Sequence, residues 1–335
     1  MKRSLRAGII GLGVGEQHIE GYQRHKDCRV VALCDLDDSK RAAAREKYPD
    51  MRIVAEAEEI LRDPEIDVVS IASYDNHHAE QAELGIEHGK HLFVEKPICL
   101  HPEEARRIRS ALRRHPGIRI SSNLILRRSP RFRWLREEIA RGRFGKLYYL
   151  EADYDYGRVH KIIDGWRGKL EYYSPFLGGG VHMVDLLQWL SSDEVVEVTA
   201  YGNHIATEGT GFRFDDMVAA LFRYRSGMIA KVTANFGCVH PHHHRVAVFG
   251  TEATFFNGVE RGELHTSREK GAKPEPVTLD YPGYHKGDLI HGFVASILDG
   301  VPQEIGTDDV FRSLSVCFAV EASKKDGKPV KVDYI

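Results

Sequence analysis

The sequence predicts an α/β domain on a parallel sheet, followed by an α+β domain with a large, mostly antiparallel open-faced sheet. Three observations predict it. Short apolar runs alternate with helical patterns up to residue 121, as a parallel α/β sheet requires. A glycine-rich turn joins the first run to the first helix. From Val195 to about His265 strand signals dominate and helical patterns drop out.

In order, Leu5–Ile10 reads as the first strand, Glu16–Arg24 as a helix and Arg29–Cys34 as the second strand. A helix over Ser39–Lys47, a short strand Met51–Val54 and a short helix Glu56–Arg62 follow. Val68–Ala72 is β-branched and reads as a buried strand, and His78–His88 as a helix stopped by Gly89. His91–Val94, Pro102–Arg114 and Ile118–Ser121 complete a domain of residues 1–121. In the second, residues 122–335, Pro130–Arg141 reads as a basic helix, Leu147–Tyr156 as a long strand and Gly178–Leu190 as a helix. Val195–Tyr201, Met217–Tyr224, Met228–Phe236, Arg245–Phe249 and Thr254–Phe256 read as strands. His291–Leu298 and Thr307–Ser323 close the chain as helices, with Thr307 as the N-cap of the last.

A length of 335 residues fits two domains at roughly 100–200 residues each. With 29% charged residues and a net charge of -2, no basic excess points to nucleic acid or an anionic membrane. The five cysteines are scattered without a CxxC pair, which predicts reduced thiols and a cytoplasmic protein. The apolar run Ala7–Ile10 is too short for a secretory signal, and no stretch approaches the roughly 20 apolar residues of a membrane span.

The turn Gly11-Leu12-Gly13-Val14-Gly15 sits between a strand and a helix, where a phosphate-binding loop must sit. Glycine lets the backbone turn tightly and approach a pyrophosphate. Glu16 stands at the third glycine position of the usual fingerprint. Asp35 ends the second strand, 22 residues after Gly13, where an acid accepts the adenosine ribose hydroxyls and repels a 2′-phosphate. Leu36 and Asp37 follow it, without an adjacent Arg or Lys. The reading is a Rossmann domain binding a nicotinamide dinucleotide, NAD rather than NADP.

Glu95-Lys96-Pro97 follows the strand His91–Val94. Ligands of open parallel sheets bind beyond the carboxyl ends of the strands, so Lys96 is expected to face the cofactor cleft. A partly desolvated lysine there can bind a substrate hydroxyl and help move its proton. In the second domain, Gly178-Gly179-Gly180 precedes His182. Consecutive glycines allow close approach of another backbone or a ligand. His182 is expected in the first helical turn, where the dipole favours a neutral imidazole able to act as a base. Asp185, three residues on, is placed to orient it.

These features together resemble the glucose–fructose oxidoreductase/inositol dehydrogenase/MocA (Gfo/Idh/MocA) family. The matching landmarks are Gly11-Leu12-Gly13 with His18, Ile71-Ala72-Ser73 with His78, Glu95-Lys96-Pro97, Trp166-Arg167, Gly180-Val181-His182-Met183-Val184-Asp185, and a tail with Ser323 and Gly327-Lys328-Pro329-Val330. The resemblance implies that Lys96 is the active-site lysine and His182 the catalytic histidine. It also implies that Ser73, His78, Glu95 and Lys96 itself join the glycine loop and Asp35 in holding the cofactor. Hydride would pass between a secondary carbinol and the nicotinamide. Three positions depart from the family: the glycine loop is one residue short, Tyr74 replaces a proline, and Gly178 stands where inositol-dehydrogenase-like members carry an aspartate. Asp185, Asp164 or one of Tyr154, Tyr156, Tyr172 and Tyr173 is left to supply that contact.

Tyr156, His160, Trp166 and Arg167 lie before the glycine triplet and are expected to line a sugar pocket, or else to pack the loop. Arg127, Arg128, Arg131, Arg133 and Arg136 could cradle the diphosphate of a nucleotide sugar; the favoured reading is a solvated helix face balanced by Glu137 and Glu138. His240-Pro241-His242-His243-His244 lacks companions at metal-ligand spacing and is read as a turn near the substrate mouth, with no metal. The expected activity is an NAD-dependent dehydrogenase acting on a secondary hydroxyl of a sugar, including a nucleotide-linked amino sugar such as a UDP-N-acetylhexosamine. Two alternatives are a lyase or glycosidase that recycles bound NAD, and a non-catalytic NAD- or sugar-sensing regulator. The open sheet predicts a homodimer or homotetramer through its face.

Overall fold

In the computed structural model, residues 4–335 are described, and they divide into two compact units. One comprises residues up to Ile125, with 285–311 and Ile335; the other comprises 126–284 and 312–334.

The first unit opens with β1 (Leu5–Ile10), α1 (His18–Gln23), β2 (Cys28–Cys34), α2 (Asp38–Lys47), β3 (Arg52–Val54), α3 (Glu58–Leu61) and β4 (Val68–Ile71). It continues with α4 (His78–Glu87), β5 (His91–Val94), α5 (Pro102–Arg114) and β6 (Ile120–Ser122). All six strands are parallel, in the order β3-β2-β1-β4-β5-β6. The order reverses between β1 and β4, which is where such sheets open a crevice for ligands. Ala7, Ile9, Val68, Val69, Leu92, Phe93 and Val94 are buried, because helices cover both faces of a parallel sheet. Pro102 at the first turn and Glu104, which accepts from the backbone N–H of Leu100 (2.8 Å) and His101 (3.0 Å), start α5. A Cβ at Gly21 would lie 2.9 Å from that of Ile290, so glycine lets α1 pack on the returning segment 285–298.

The second unit contains α6 (Pro130–Ala140), β7 (Leu147–Asp155), α7 (His160–Ile163), α8 (Val181–Ser191), β8 (Val195–Asn203), β9 (Met217–Tyr224), β10 (Ile229–Asn235), β11 (His243–Gly250), β12 (Thr254–Asn257), β13 (Gly262–His265) and β14 (Glu275–Val277). Then α9 (Asp288–Leu298) belongs to the first unit, α10 (Thr307–Asp326) returns the chain to the second, and β15 (Val330–Lys331) ends it. The sheet has nine strands in the order β14-β13-β12-β11-β7-β10-β9-β8-β15. It is antiparallel except for β7 and β10. Leu150, Ala152, Ala230, Val232, Ala220 and Phe222 lie on its buried face, where β7 and β10 meet α8. Its other face carries Leu221, Ile229 and Phe256, all exposed.

Three strands carried no readable signal. β13 and β14 have four and three residues, and Pro276 in β14 is tolerated only because that strand is an edge. β15 has two residues. Thr307 begins α10 rather than preceding it, and its hydroxyl donates to the Ile120 carbonyl at 3.4 Å. The five cysteines are free, and among the described residues no helix is long and apolar enough to cross a membrane.

Candidate active site

The dinucleotide cradle follows from the turn after β1. Gly11 has φ +89°, and a Cβ there would meet the Ala72 carbonyl and, at 2.7 Å, the Ser73 nitrogen. No side chain fits, because the end of β4 passes against the loop. Gly13 is the opposite case: it is exposed, and nothing lies within 4 Å of where its Cβ would be. That open space fits a pyrophosphate against the backbone. Val14 is exposed beside it, while Gly15 is buried, 3.0 Å from Ile9 and 3.1 Å from Ala72 at its would-be Cβ. Glu16 turns outward to Lys47 (2.7 Å) and the Tyr48 hydroxyl (3.0 Å), so its charge is compensated away from the cradle.

Asp35 accepts from the Leu12 N–H at 2.7 Å and the Asp37 N–H at 2.9 Å, which fixes its carboxylate at the loop. Helix α2 also brings Lys40 to 3.3 Å from Asp35, and Arg41 donates to the Asp35 carbonyl at 2.7 Å. Neither cation directly follows Asp35 in the sequence; the helix folds both back to it. Asp35→Ser should therefore shift cofactor preference toward NADP, since it removes the repelling charge and leaves Lys40 and Arg41 facing a 2′-phosphate. The ratio of dissociation constants for the two dinucleotides checks this; an unchanged ratio would refute it.

Lys96, half-buried, follows β5, and Glu95 beside it is 9% exposed. Glu95 accepts from His18 Nε2 (3.3 Å) and Asn123 Nδ2 (2.6 Å). The Tyr22 hydroxyl and Ser70 hydroxyl are 3.0 Å apart, and Ser70 Oγ is 3.1 Å from His18 Nδ1. With the His18 proton on Nε2 for Glu95, Ser70 donates to Nδ1 and Tyr22 to Ser70, so one buried chain of donors ends on the carboxylate. Burial pushes the Glu95 carboxyl up, but the His18 bond and the charges of Lys286, His18 and Lys96 outweigh it and hold it far below the usual carboxylate range. A fixed anion thus stands beside Lys96. Asn123 Nδ2 also reaches the Lys286 carbonyl at 3.2 Å. Neither Asn123 nor Lys286 was legible as a site residue, since Lys286 lies 163 positions further on.

His78 is fully buried, with Nδ1 2.7 Å from the Pro97 carbonyl and Nε2 3.1 Å from the Ser73 carbonyl. It ties the ends of β4 and β5 together, so any part in holding a cofactor is through those loops. The Ser73 hydroxyl donates to Gln81 Oε1 at 2.7 Å.

In the second unit, the glycine triplet lies inside a helix that starts at Pro175, rather than opening it. Ser174 Oγ accepts from the N–H groups of Phe176 and Leu177, each at 3.1 Å, and Pro175 follows it, which is an N-cap with proline in the first turn. Phe176–Gly180 form a widened π turn that runs on into α8. His182 is therefore two turns in, and the expected effect of the helix dipole on it does not hold, because that effect fades within the first turn. The glycines make room for aromatic rings rather than for a ligand. A Cβ at Gly179 would lie 2.6 Å from Tyr154 ring atoms and 2.9 Å from Phe236; one at Gly178 would strike the Tyr173 hydroxyl and lie 3.0 Å from its Cζ. Of the candidates for the contact missing at Gly178, Tyr173 is the one that fills the space.

The ring of His182 stacks on Tyr154, centroids 5.9 Å apart and 16° from parallel. Tyr154 also stacks on Tyr156 (6.0 Å) and meets His242 (5.0 Å) and His244 (5.3 Å). His243 and His244 belong to β11 and are buried, which corrects the reading of that tract as a turn. The Tyr281 hydroxyl accepts from the His244 N–H at 2.9 Å and lies within hydrogen-bond distance, 2.6 Å, of its Nδ1. No group of three or more His, Cys, Asp or Glu among the described residues is arranged to hold a metal. Arg167 lies 4.5 Å over Trp166, whose ring meets Tyr173 edge-on at 6.5 Å, whereas His160 is exposed at the start of α7.

The arginine segment is a solvated face only in part: Arg133 and Glu137 are exposed, but Arg127 and Arg131 are not. Arg127 is buried and grips Asp185 with Nε (3.0 Å) and Nη2 (2.6 Å). The acid expected to orient His182 is thus half of a buried ion pair. Arg131, also buried, donates to Asn257 Oδ1 (2.9 Å) and the carbonyls of Gly258 (2.8 Å), Glu260 (3.2 Å) and Leu279 (3.1 Å). Arg136 lies 5.7 Å over Trp189. Glu138 pairs with Arg141 and Arg143 instead.

Residues 5–122 match a family described as "Oxidoreductase family, NAD-binding Rossmann fold", and residues 132–256 match the GFO/IDH/MocA C-terminal domain. Myo-inositol 2-dehydrogenase of Thermotoga maritima is 23% identical over 99% of this chain and 99% of its own. Among solved structures, scyllo-inositol dehydrogenase from Lactobacillus casei with NAD(H) and scyllo-inositol superposes with TM-score 0.82 at 19% identity, over 98% of this chain and 99% of its own. The WlbA dehydrogenase from Bordetella pertussis, in complex with NADH and UDP-GlcNAcA, gives 0.83 at 21% identity over 99% of each chain.

Proposed function

The chain belongs to the Gfo/Idh/MocA oxidoreductase family, and from that premise we propose that it is an NAD-dependent dehydrogenase acting on a secondary hydroxyl of a sugar or polyol. The observation that carries this reading is Lys96 at the carboxyl end of β5, beside the buried carboxylate of Glu95 and in the unit that holds the glycine cradle. NAD fits the open backbone at Gly13 and the anchored carboxylate of Asp35; when bound, its nicotinamide accepts the hydride of the carbinol carbon. Lys96 is assigned the hydroxyl of the substrate and, with His182, the removal of its proton. Asp185 supports His182 through the helix that its pair with Arg127 fixes. Tyr156, Trp166 and Arg167 are assigned to the sugar-binding wall of the second unit.

Inositol dehydrogenases among the relatives support a polyol, and the WlbA neighbour supports a nucleotide-linked sugar. The exposed face of the nine-stranded sheet, with Leu221, Ile229 and Phe256, is assigned to a homodimer or homotetramer interface. Incubation with NAD and a panel of inositols, free sugars and UDP-sugars tests the activity. Formation of NADH in step with product is expected. Product without NADH would favour recycling of bound cofactor, and tight NAD binding with no turnover would favour a regulator.

A further inference from the structure

The segment 158–169 carries Arg158, Lys161, Arg167 and Lys169 against one acid, Asp164. Three of these cations gather at the aromatic face that holds His182. Arg158 lies 5.5 Å over Tyr156, and Arg167 lies over Trp166 and 5.9 Å from the Tyr173 ring. Burial, and then the like charges of Arg158 and Arg167, lower the Lys161 ammonium from its ordinary value. The same charges act on the face itself: Arg167 on Tyr154 and Arg158 on Tyr284, both tyrosines being raised chiefly by burial. Five carboxylates of this unit are engaged elsewhere. Asp153 and Asp155 pair with Lys231 and Arg245, Asp185 with Arg127, and Glu321 and Asp215 with Lys324. Over Gly178 stands the phenol of Tyr173, a neutral group.

A set of like charges held together over aromatic rings, with Asp164 as the single acid of the segment against them, is a place for an anion. We propose that this face binds its substrate through an anionic group, a sugar carboxylate or a sugar-linked phosphate, with Arg158, Lys161 and Arg167 as the counter-charges. The inference rests on the dehydrogenase reading of the same site and narrows its substrate class. Tyr154 and Tyr156 supply the apolar wall for the ring, and Tyr173 admits the anion where a carboxylate would repel it.

Calorimetric binding with NADH present tests this without turnover. The gluco, galacto and N-acetylglucosamine skeletons are each offered as neutral sugar, uronic acid and UDP derivative. An anionic form should bind about tenfold more tightly than its neutral parent, and added salt should weaken it. Preference for the uronic acid identifies a carboxylate site; preference confined to the UDP derivative identifies a phosphate site. The double variant Arg158→Glu with Lys161→Glu, at two exposed positions, should abolish that preference, while Arg167→Lys should keep most of it. Neutral sugars binding as tightly, no compound binding, or a preference unchanged in the double variant would overturn the proposal. Anion-dependent binding without NADH formation would fail the dehydrogenase reading and leave this one standing; oxidation of a neutral polyol alone would do the reverse.

Discussion

Lys96→Met is expected to lower turnover by roughly 10²–10⁴-fold while leaving NAD affinity nearly unchanged, because it removes an acid–base group and no part of the cradle. Methionine keeps the length and the apolar stem, so β5 and the turn after it should hold. The paired carboxylate sharpens the prediction. Glu95 stays ionised far below neutral pH, held by His18 and by the surrounding charges, so a permanent negative charge stands beside Lys96. Lys96→Met leaves that anion with His18 and Asn123 as hydrogen-bond donors, and the fold should survive. Steady-state rates together with NADH fluorescence titration decide the matter. Loss of cofactor binding in parallel with activity would place Lys96 in the cradle instead.

The largest expected effect on stability is at Arg127. Its pair with Asp185 is bidentate, and the two side chains are only 5% and 1% exposed. Arg127→Met leaves a buried carboxylate with the Ser313 hydroxyl, 3.4 Å away, as a neutral donor; the cost should be about 3–5 kcal/mol. Removing both charges, Arg127→Met with Asp185→Leu, should restore much of it, since a buried pair is often worth little more than the apolar contacts that replace it. Urea unfolding of the two variants measures both numbers. A loss below about 1 kcal/mol in the single variant would mean that water reaches the pair.

Up to residue 122 the first unit was nearly all legible in the sequence; that residues 285–311 fold with it was not. Its strands are continuous runs of β-branched and aliphatic residues, since a parallel sheet is buried on both faces, and Leu5–Ile10 and His91–Val94 fall where the pattern put them. Gly11, Gly13 and Asp35 carried their chemistry in spacing alone. What stayed hidden depends on residues far apart in the chain. Nothing near Glu95 announces Asn123 or Lys286, and nothing near Asp35 announces that a helix folds Lys40 back to it. The arginine segment misled because charge suggests solvent, yet Arg127 and Arg131 are buried by partners that lie 58 and 126 positions away. The glycine triplet was read as freedom for a ligand. Its reason is the bulk of Tyr154, Tyr173 and Phe236, and only the folded sheet shows that these rings meet the helix.

Hydride transfer from a carbinol carbon to a nicotinamide is the central claim, and isotopic labelling tests it most directly. A substrate found by NADH formation is prepared with deuterium on the oxidised carbon and turned over with NAD. Mass spectrometry of the cofactor should then find the deuterium on the nicotinamide ring, one label for each product molecule. Unlabelled NADH, or product formed with the label lost to water, would contradict it.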